Sequence, residues 1–265
     1  MATVTTLERG LRILDRMISE DGPLRLKDVA EEFDIDRAMA FRFLQTLSEF
    51  GLLYKDPVTK GYTPGGHFYS WMIRARRRLD IADRVRPFLQ EVVRRTEQSA
   101  HLGILVDDQA LLVDFVPSDN LVSVKNRIGV LEPVYCTAIG KAIISQLPRD
   151  ERDRMIDSLD LAAHTPRTVT DRGKLDRNLD QTAKRGFAID DGEYNEILAC
   201  VAVPLTVPPG LPAASIGVSM IRPVIAADAT ILERVAGHLR DVAGEIAMAL
   251  GSGNGQGNGE RRHQP

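Results

Sequence analysis

Apolar residues fall at helical spacing along the first part of the chain, and the period then shortens to that of strands. Over Thr6 to Glu20, Leu7, Leu11, Leu14 and Ile18 make one stripe with Ile13 and Met17 beside it. This predicts an amphipathic helix, capped by Thr5 or Thr6 and stopped by Asp21-Gly22-Pro23. Leu24-Arg25-Leu26 reads as a short extended lead-in. The stretch from Leu26 to Tyr62 then holds two short helical patterns, one on Val29, Ala30 and Phe33, the other on Ala40, Phe43, Leu44 and Leu47. Between them Asp34 favours a turn, Ile35 is placed to plug the corner, and Asp36 is a good N-cap. Gly51 is placed to end the second helix in a left-handed conformation. Leu52-Leu53-Tyr54 and Tyr62-Thr63 flank the turn Lys55 to Gly61, a hairpin. Helix, turn, helix and hairpin in this order predict a winged helix-turn-helix.

From His67 to Ala100 the pattern is helical again, with Phe68, Trp71 and Met72, then Ile81, Val85, Phe88, Leu89, Val92 and Val93 on apolar faces. The Phe68-Trp71-Met72 group reads either as a dimer contact or as packing on the chain's own wing. Arg74, Arg76, Arg77 and Arg78 read as a phosphate-reaching cluster or as a solvated face. From His101 the runs HLGILV, ALLVDFV and LVSVKN are strand-like, as are Phe187-Ala188-Ile189, Ala199 to Leu205 and Ser215 to Ile221. Helices are expected over Thr137 to Leu147, Arg149 to Leu159, Asp171 to Lys184 (capped by Thr170, ended by Gly186) and Asp228 to Leu250. Strands and helices mixed in this way predict an α+β domain, helices packed on an antiparallel sheet. The expected division is 1–65 winged helix-turn-helix, 66–100 linker helices with a dimer contact, 101–250 a second domain, and 251–265 a Gly-rich, polar, disordered tail.

Composition changes this picture only in part. At 265 residues and 43% hydrophobic, the chain is long enough for two cores. The formal net charge is -3, so any affinity for nucleic acid must come from where the basic residues lie. Two cysteines, Cys136 and Cys200, are too few for a disulfide framework and suit a reducing compartment. The start reads as a helix, not as a signal peptide, and no apolar run approaches membrane-spanning length. The expectation is a soluble cytoplasmic protein with no membrane contact, no cofactor and no metal.

Candidate chemistry sits in both halves. On the second helix of the helix-turn-helix, Arg37, Ala38, Met39, Phe41, Arg42 and Gln45 point away from the apolar face. Arg can pair with guanine and Gln with adenine, while Ala38, Met39 and Phe41 can meet thymine methyls or sugars. Lys55 and Lys60 flank the wing turn, where phosphates of duplex DNA would lie. In the second half, Pro133 to Lys141 brings a strand into a helix N-terminus, a place suited to an anion. With Asp190, Leu198, Cys200 and Ser219 on nearby strands, a small pocket for an organic acid is expected. The alternative is an enzyme that uses Cys136 as nucleophile and His101 as base.

Taken together, TLERGLRIL, LKDVAEEFDIDRAMAFRFLQTLSEFGLL with its wing, VYCTAIGKAIIS, RGFAIDDGEY and CVAVPL resemble the IclR family of bacterial transcription regulators over residues 5 to 250. The resemblance implies a GAF-like effector domain behind a linker helix, a homodimer or dimer of dimers, a palindromic double-stranded DNA operator, and a small organic acid effector. Carried over, the effector site is Ala138, Ile139, Asp190, Leu198, Cys200, Gly217 and Ser219. The chain departs from the family at Ala38, Met39 and Phe41, where a Ser-Thr pair and a His are usual, at Ala199, commonly an Arg, and at Gly217, commonly a serine. The missing hydroxyls at 38 and 39 imply an altered operator. Gly217, with Met220 nearby, implies room for a larger ligand such as an aromatic acid.

Overall fold

The computed structural model describes residues 4–19, 22–78, 81–120, 123–124, 127–223, 228 and 230–251. Most of the expected strand over 121–126 and the expected tail after Gly251 lie outside these residues, as do the side chains of Arg76, Arg77 and Arg78. The chain divides into two compact units, Met1–Leu79 and Asp80–Pro265.

The first unit runs α1 (Thr5–Ser19), α2 (Leu26–Glu32), α3 (Arg37–Glu49), β1 (Leu53–Lys55), β2 (Tyr62–Pro64) and α4 (Gly66–Arg78). Its core is Ile13, Met17, Leu24, Val29, Ala40, Leu44, Leu53 and Tyr62. Helix α1 therefore buries Ile13 and Met17, one turn apart, while Leu7, Leu11 and Ile18 of the expected stripe are exposed. The helix carries apolar residues on two faces, and the one that meets Val29 and Leu44 becomes the core face. The turn between α2 and α3 is built as its residues dictate. Asp34 adopts φ +48°, the amide of Ile35 donates to the Ala30 carbonyl at 3.1 Å, and the Asp36 carboxylate accepts from the Met39 amide at 2.7 Å. Beyond α3, Gly51 takes φ +68°. The wing pairs Leu53 with Pro64 and Lys55 with Tyr62, and Leu24 adds a bridge to Tyr62 that ties the lead-in to the wing.

The second unit opens with α5 (Ile81–Thr96). A six-stranded antiparallel sheet follows, of β3 (Ser99–Val106), β4 (Gln109–Val116), β5 (Leu131–Pro133), β6 (Ala188–Asp191), β7 (Leu198–Leu205) and β8 (Ala214–Ile221), in the order β5-β4-β3-β8-β7-β6. Helices α6 (Ala138–Ile144), α7 (Arg149–Ser158) and α8 (Arg172–Arg185) are inserted between β5 and β6, and α9 (Ile231–Gly251) closes the chain. The cap of α8 is Asp171, not Thr170: its carboxylate accepts from the Lys174 amide at 2.7 Å. The two faces of the sheet differ sharply. Ala100, Leu102 and Ile104, Val201, Val203 and Leu205, and Ile216, Val218 and Met220 share a core with Val85 and Leu89 of α5 and Leu239, Val242 and Ile246 of α9. The alternate positions, Ser99, His101 and Gly103, Cys200 and Ala202, Ser215, Gly217 and Ser219, are small or polar and take the other face.

Helix α6 presses into that second face, and every one of its residues is buried. One glycine lets the helix approach the sheet, and a second lets it pack on the backbone that leads into it. A Cβ on Gly103 would lie 2.3 Å from Ile139 Cγ2, and one on Gly140 would lie 2.3 Å from Val134 Cα and 2.6 Å from the Val134 carbonyl oxygen. The clash at Gly140 is with backbone, so no rotamer relieves it. Gly140→Ala is expected to cost at least ~1–3 kcal/mol of stability by overpacking. The check is urea unfolding of the full chain; an unchanged midpoint would refute this seating of α6.

Candidate functional site

The outer face of α3 is largely exposed. Arg37, Ala38, Phe41, Arg42 and Gln45 are exposed, and Met39 is half-buried with its sulfur 3.8 Å from the guanidinium of Arg9. Gln45 is engaged locally, donating to the Glu49 carboxylate at 2.9 Å. The wing closes on this face through one cation. The Lys55 ammonium lies 5.9 Å from the centre of the Phe41 ring and 5.3 Å from that of Tyr62. At the wing tip Asp56 accepts from the amides of Val58 and Thr59, both at 2.7 Å, and these bonds hold its carboxyl below the usual range. Lys60, at φ +60°, folds its ammonium back onto the Pro57 carbonyl at 2.6 Å.

In the second unit, strand register brings the expected pocket residues together on one face. Asp190 pairs with Cys200, Cys200 with Ser219, and Ser219 with Ser99, one row across four strands. The next row is Ala188, Ala202, Gly217 and His101. The Cys200 thiol donates to Ser219 Oγ at 3.4 Å, and Ser219 Oγ lies 3.5 Å from His101 Nδ1. Ala138 and Ile139 stand over this face at the start of α6, and Ser215 donates to the Ile139 carbonyl at 3.0 Å. Thr137 caps α6 by accepting from the Gly140 amide at 3.2 Å, so that amide is already satisfied. Leu198 shares the strand face of Cys200 and is half-buried.

The room expected at Gly217 is absent. His101 fills it, and Met220 points to the opposite face, into the core with α5 and α9. The catalytic pairing of Cys136 with His101 is not formed either. His101 hydrogen-bonds Ser219, and burial beside Asp190 and Glu193 pushes the Cys136 thiol up to about 12, the opposite of an activated nucleophile.

Burial governs the ionisation of the rest. Asp190 is 3% exposed and raised to about 7, although its carboxylate accepts from the amides of Glu193 at 2.6 Å and Tyr194 at 3.4 Å. Burial lowers His101 to about 4 and pushes the Cys200 thiol up to about 12. Sequence reasoning passed over the charge pair beneath them. Lys141, fully buried, makes a short ion pair with Glu193, whose own acidity is weakened by burial and whose Oε2 has no hydrogen-bond partner among the described residues. The signal was in the sequence: a single lysine inside the otherwise apolar run Ala138 to Ile144 has to find a carboxylate. Nor did it single out the aromatic group of Tyr135, His164 and Tyr194, with ring centres 6.2 and 5.1 Å apart in that order.

A winged helix with a free outer helix face, carried ahead of an α+β domain with a buried polar row, is the build of a two-part transcription regulator. Residues 6–57 match the IclR helix-turn-helix domain and residues 73–248 match the bacterial transcriptional regulator IclR C-terminal domain, so the chain belongs to the IclR family. It is 30% identical over 211 residues to the HTH-type transcriptional regulator XynR of Escherichia coli, covering 77% of this chain and 81% of that one. The crystal structure of the Thermotoga maritima IclR has 27% identity and a TM-score of 0.73, covering 94% of this chain and all of that one. An IclR homolog from Microbacterium hydrocarbonoxydans, solved in complex with 4-hydroxybenzoate, shares the fold at a TM-score of 0.79 and 19% identity, over 93% of this chain and 99% of that one. The family consists of transcription regulators, not enzymes, and this chain is one of them. Among the described residues no helix is long and apolar enough to cross a membrane.

Asp190 and His101 pull stability in opposite directions with pH. A raised carboxyl gives stability that is full below 3.8 and lost as pH rises through about 7. A lowered imidazole gives stability that is full above 6.5 and lost as pH falls through about 4. Between about 4 and 6.5 the two slopes oppose each other. Asp190→Asn should therefore steepen the rise of stability with pH across that window. Urea midpoints measured over a pH series test this, and a profile parallel to wild type would count against the assignment.

Proposed function

We propose that the protein is a ligand-responsive repressor or activator of a catabolic operon. In this reading the outer face of α3 docks in the major groove of a palindromic operator, through Arg37, Ala38, Met39, Phe41, Arg42 and Gln45. Lys55 and Lys60 meet phosphates beside the groove. The observation that carries the reading is the exposure of the α3 face, with cations at hand in a chain of formal net charge -3. Two copies, or two pairs of copies, would act together. The exposed Leu7 and Leu11 of α1 and Tyr69, Trp71, Met72 and Ile73 of α4 supply apolar surface for such pairing.

The effector is a small organic acid, with aromatic acids the class to try first. The complex of the Microbacterium relative with 4-hydroxybenzoate supports that choice. It would bind against Asp190, Leu198, Cys200 and Ser219, with His101 standing over Gly217, under the start of α6 at Ala138 and Ile139. Binding would bias the relative placement of the two winged helices, and strict half-site spacing turns a small rotation into a change of affinity.

Arg42→Ala should weaken operator binding by about 1–3 kcal/mol with an unchanged melting curve. Band-shift titration tests this, and intact affinity would remove Arg42 from the interface. Ser219→Ala should weaken the response to effector while operator binding without effector survives. Calorimetry that finds equal effector affinity in the variant would move the site elsewhere.

A further inference from the structure

His101 stands on β3 directly opposite Gly217 on β8 and is only 3% exposed. A Cβ built on Gly217 would lie 2.8 Å from His101 Nε2, 3.0 Å from the Val201 carbonyl oxygen and 3.2 Å from Ala202 Cβ. A side chain at 217 and this imidazole therefore cannot both keep these positions. The glycine is the seat of the histidine ring.

One nitrogen of the ring is engaged by a neighbour. The Cys200 thiol donates to Ser219 Oγ, and Ser219 Oγ lies 3.5 Å from His101 Nδ1, so the hydroxyl is placed to donate to that nitrogen in the tautomer with Nδ1 bare. Burial keeps the ring neutral. A neutral imidazole that accepts at Nδ1 carries its proton on Nε2. Nε2 has no hydrogen-bond partner among the described residues. Nε2 is not one of the fully sealed, unpartnered polar atoms of the described residues, so an oxygen of a ligand can reach it and pair with it. The donor lies on the sheet face that also presents Cys200, Ser219 and Asp190.

We infer that His101 is an effector-contacting, specificity-determining residue: its Nε2–H donates to an oxygen of the bound acid, and the His101–Gly217 pair decides which acids fit. The inference rests on the effector reading of this face given above. It gives His101 the hydrogen-bonding role over position 217 that no side chain there can take.

Amide replacements separate the two ring nitrogens. Glutamine places its amide nitrogen near the position of Nε2, and asparagine places its amide nearer that of Nδ1. Melting shifts of the full-length protein with benzoate, 4-hydroxybenzoate, pyruvate and gluconate are measured for wild type, His101→Gln, His101→Asn and Gly217→Ala. The expected result is that an acid which stabilises wild type also stabilises His101→Gln. It should bind His101→Asn and Gly217→Ala at least about tenfold more weakly, the loss of one buried hydrogen bond. Equal affinity in His101→Asn overturns the role of His101 and leaves the effector pocket standing. If none of these acids shifts the wild-type protein, the acid reading itself falls, and this inference with it. Nitrogen-15 histidine spectra of the full chain, assigned by comparison with His101→Asn, give a check without ligand. Nε2 protonated and Nδ1 bare at neutral pH is expected, and the reverse tautomer or a charged ring overturns the proposal.

Discussion

The second domain depends on one close approach: α6 packs on the sheet because Gly103 leaves room for Ile139, and on its own lead-in because Gly140 leaves room for the Val134 backbone. All seven of its residues are buried, which is possible only because its single charged residue, Lys141, has found Glu193. Such a pair is not a source of net stability, since desolvation offsets most of the attraction. What it supplies is position. Glu193 belongs to the turn after β6, and that turn is stitched down further by the hydroxyls of Thr165, bonded to the Gly192 carbonyl at 2.7 Å, and Thr168, bonded to the Glu193 carbonyl at 2.6 Å. The same turn gives Asp190 its backbone donors. Helix, turn and sheet are thus locked around the polar row, and none can shift without disturbing Lys141.

Acidic and neutral groups share this row without conflict because burial sets their protonation. Asp190, next to Cys200, whose thiol burial pushes up to about 12, is itself raised to about 7 by burial. A carboxyl raised in this way holds its proton to higher pH than a free one, and while protonated it can donate a hydrogen bond. This arrangement follows from the alternation of the central strands, which sends most large apolar side chains to α5 and α9 and leaves mainly small and polar ones facing α6.

Much of this was legible in the residues. Asp36, Gly51 and the Lys55-to-Gly61 turn specify the winged helix through local rules, and local rules survive folding. The strands β3, β4, β7 and β8 were visible in their composition. The failures have particular causes. Helix α1 is apolar on two faces, and only its neighbours decide that Ile13 and Met17 go inside. Thr170 and Asp171 are both good caps, and the choice between them depends on a backbone angle. Period-two alternation should have sent Met220 to the face opposite Ser219, but a shape argument overrode it. That His101 fills the gap at Gly217 could not be read from either segment alone, because strand register joins positions 101 and 217 only in the folded sheet.

The contact between Lys55 and the rings of Phe41 and Tyr62 has a consequence for association. A lysine on a free stem gives up ~1.5–2 kcal/mol of rotamer entropy when an anion fixes it. Here part of that ordering has occurred in the unbound protein, so capture of a phosphate would begin from a side chain already aimed. On the proposed reading, the aromatic residue on the helix would contribute through the wing, by holding its cation ready.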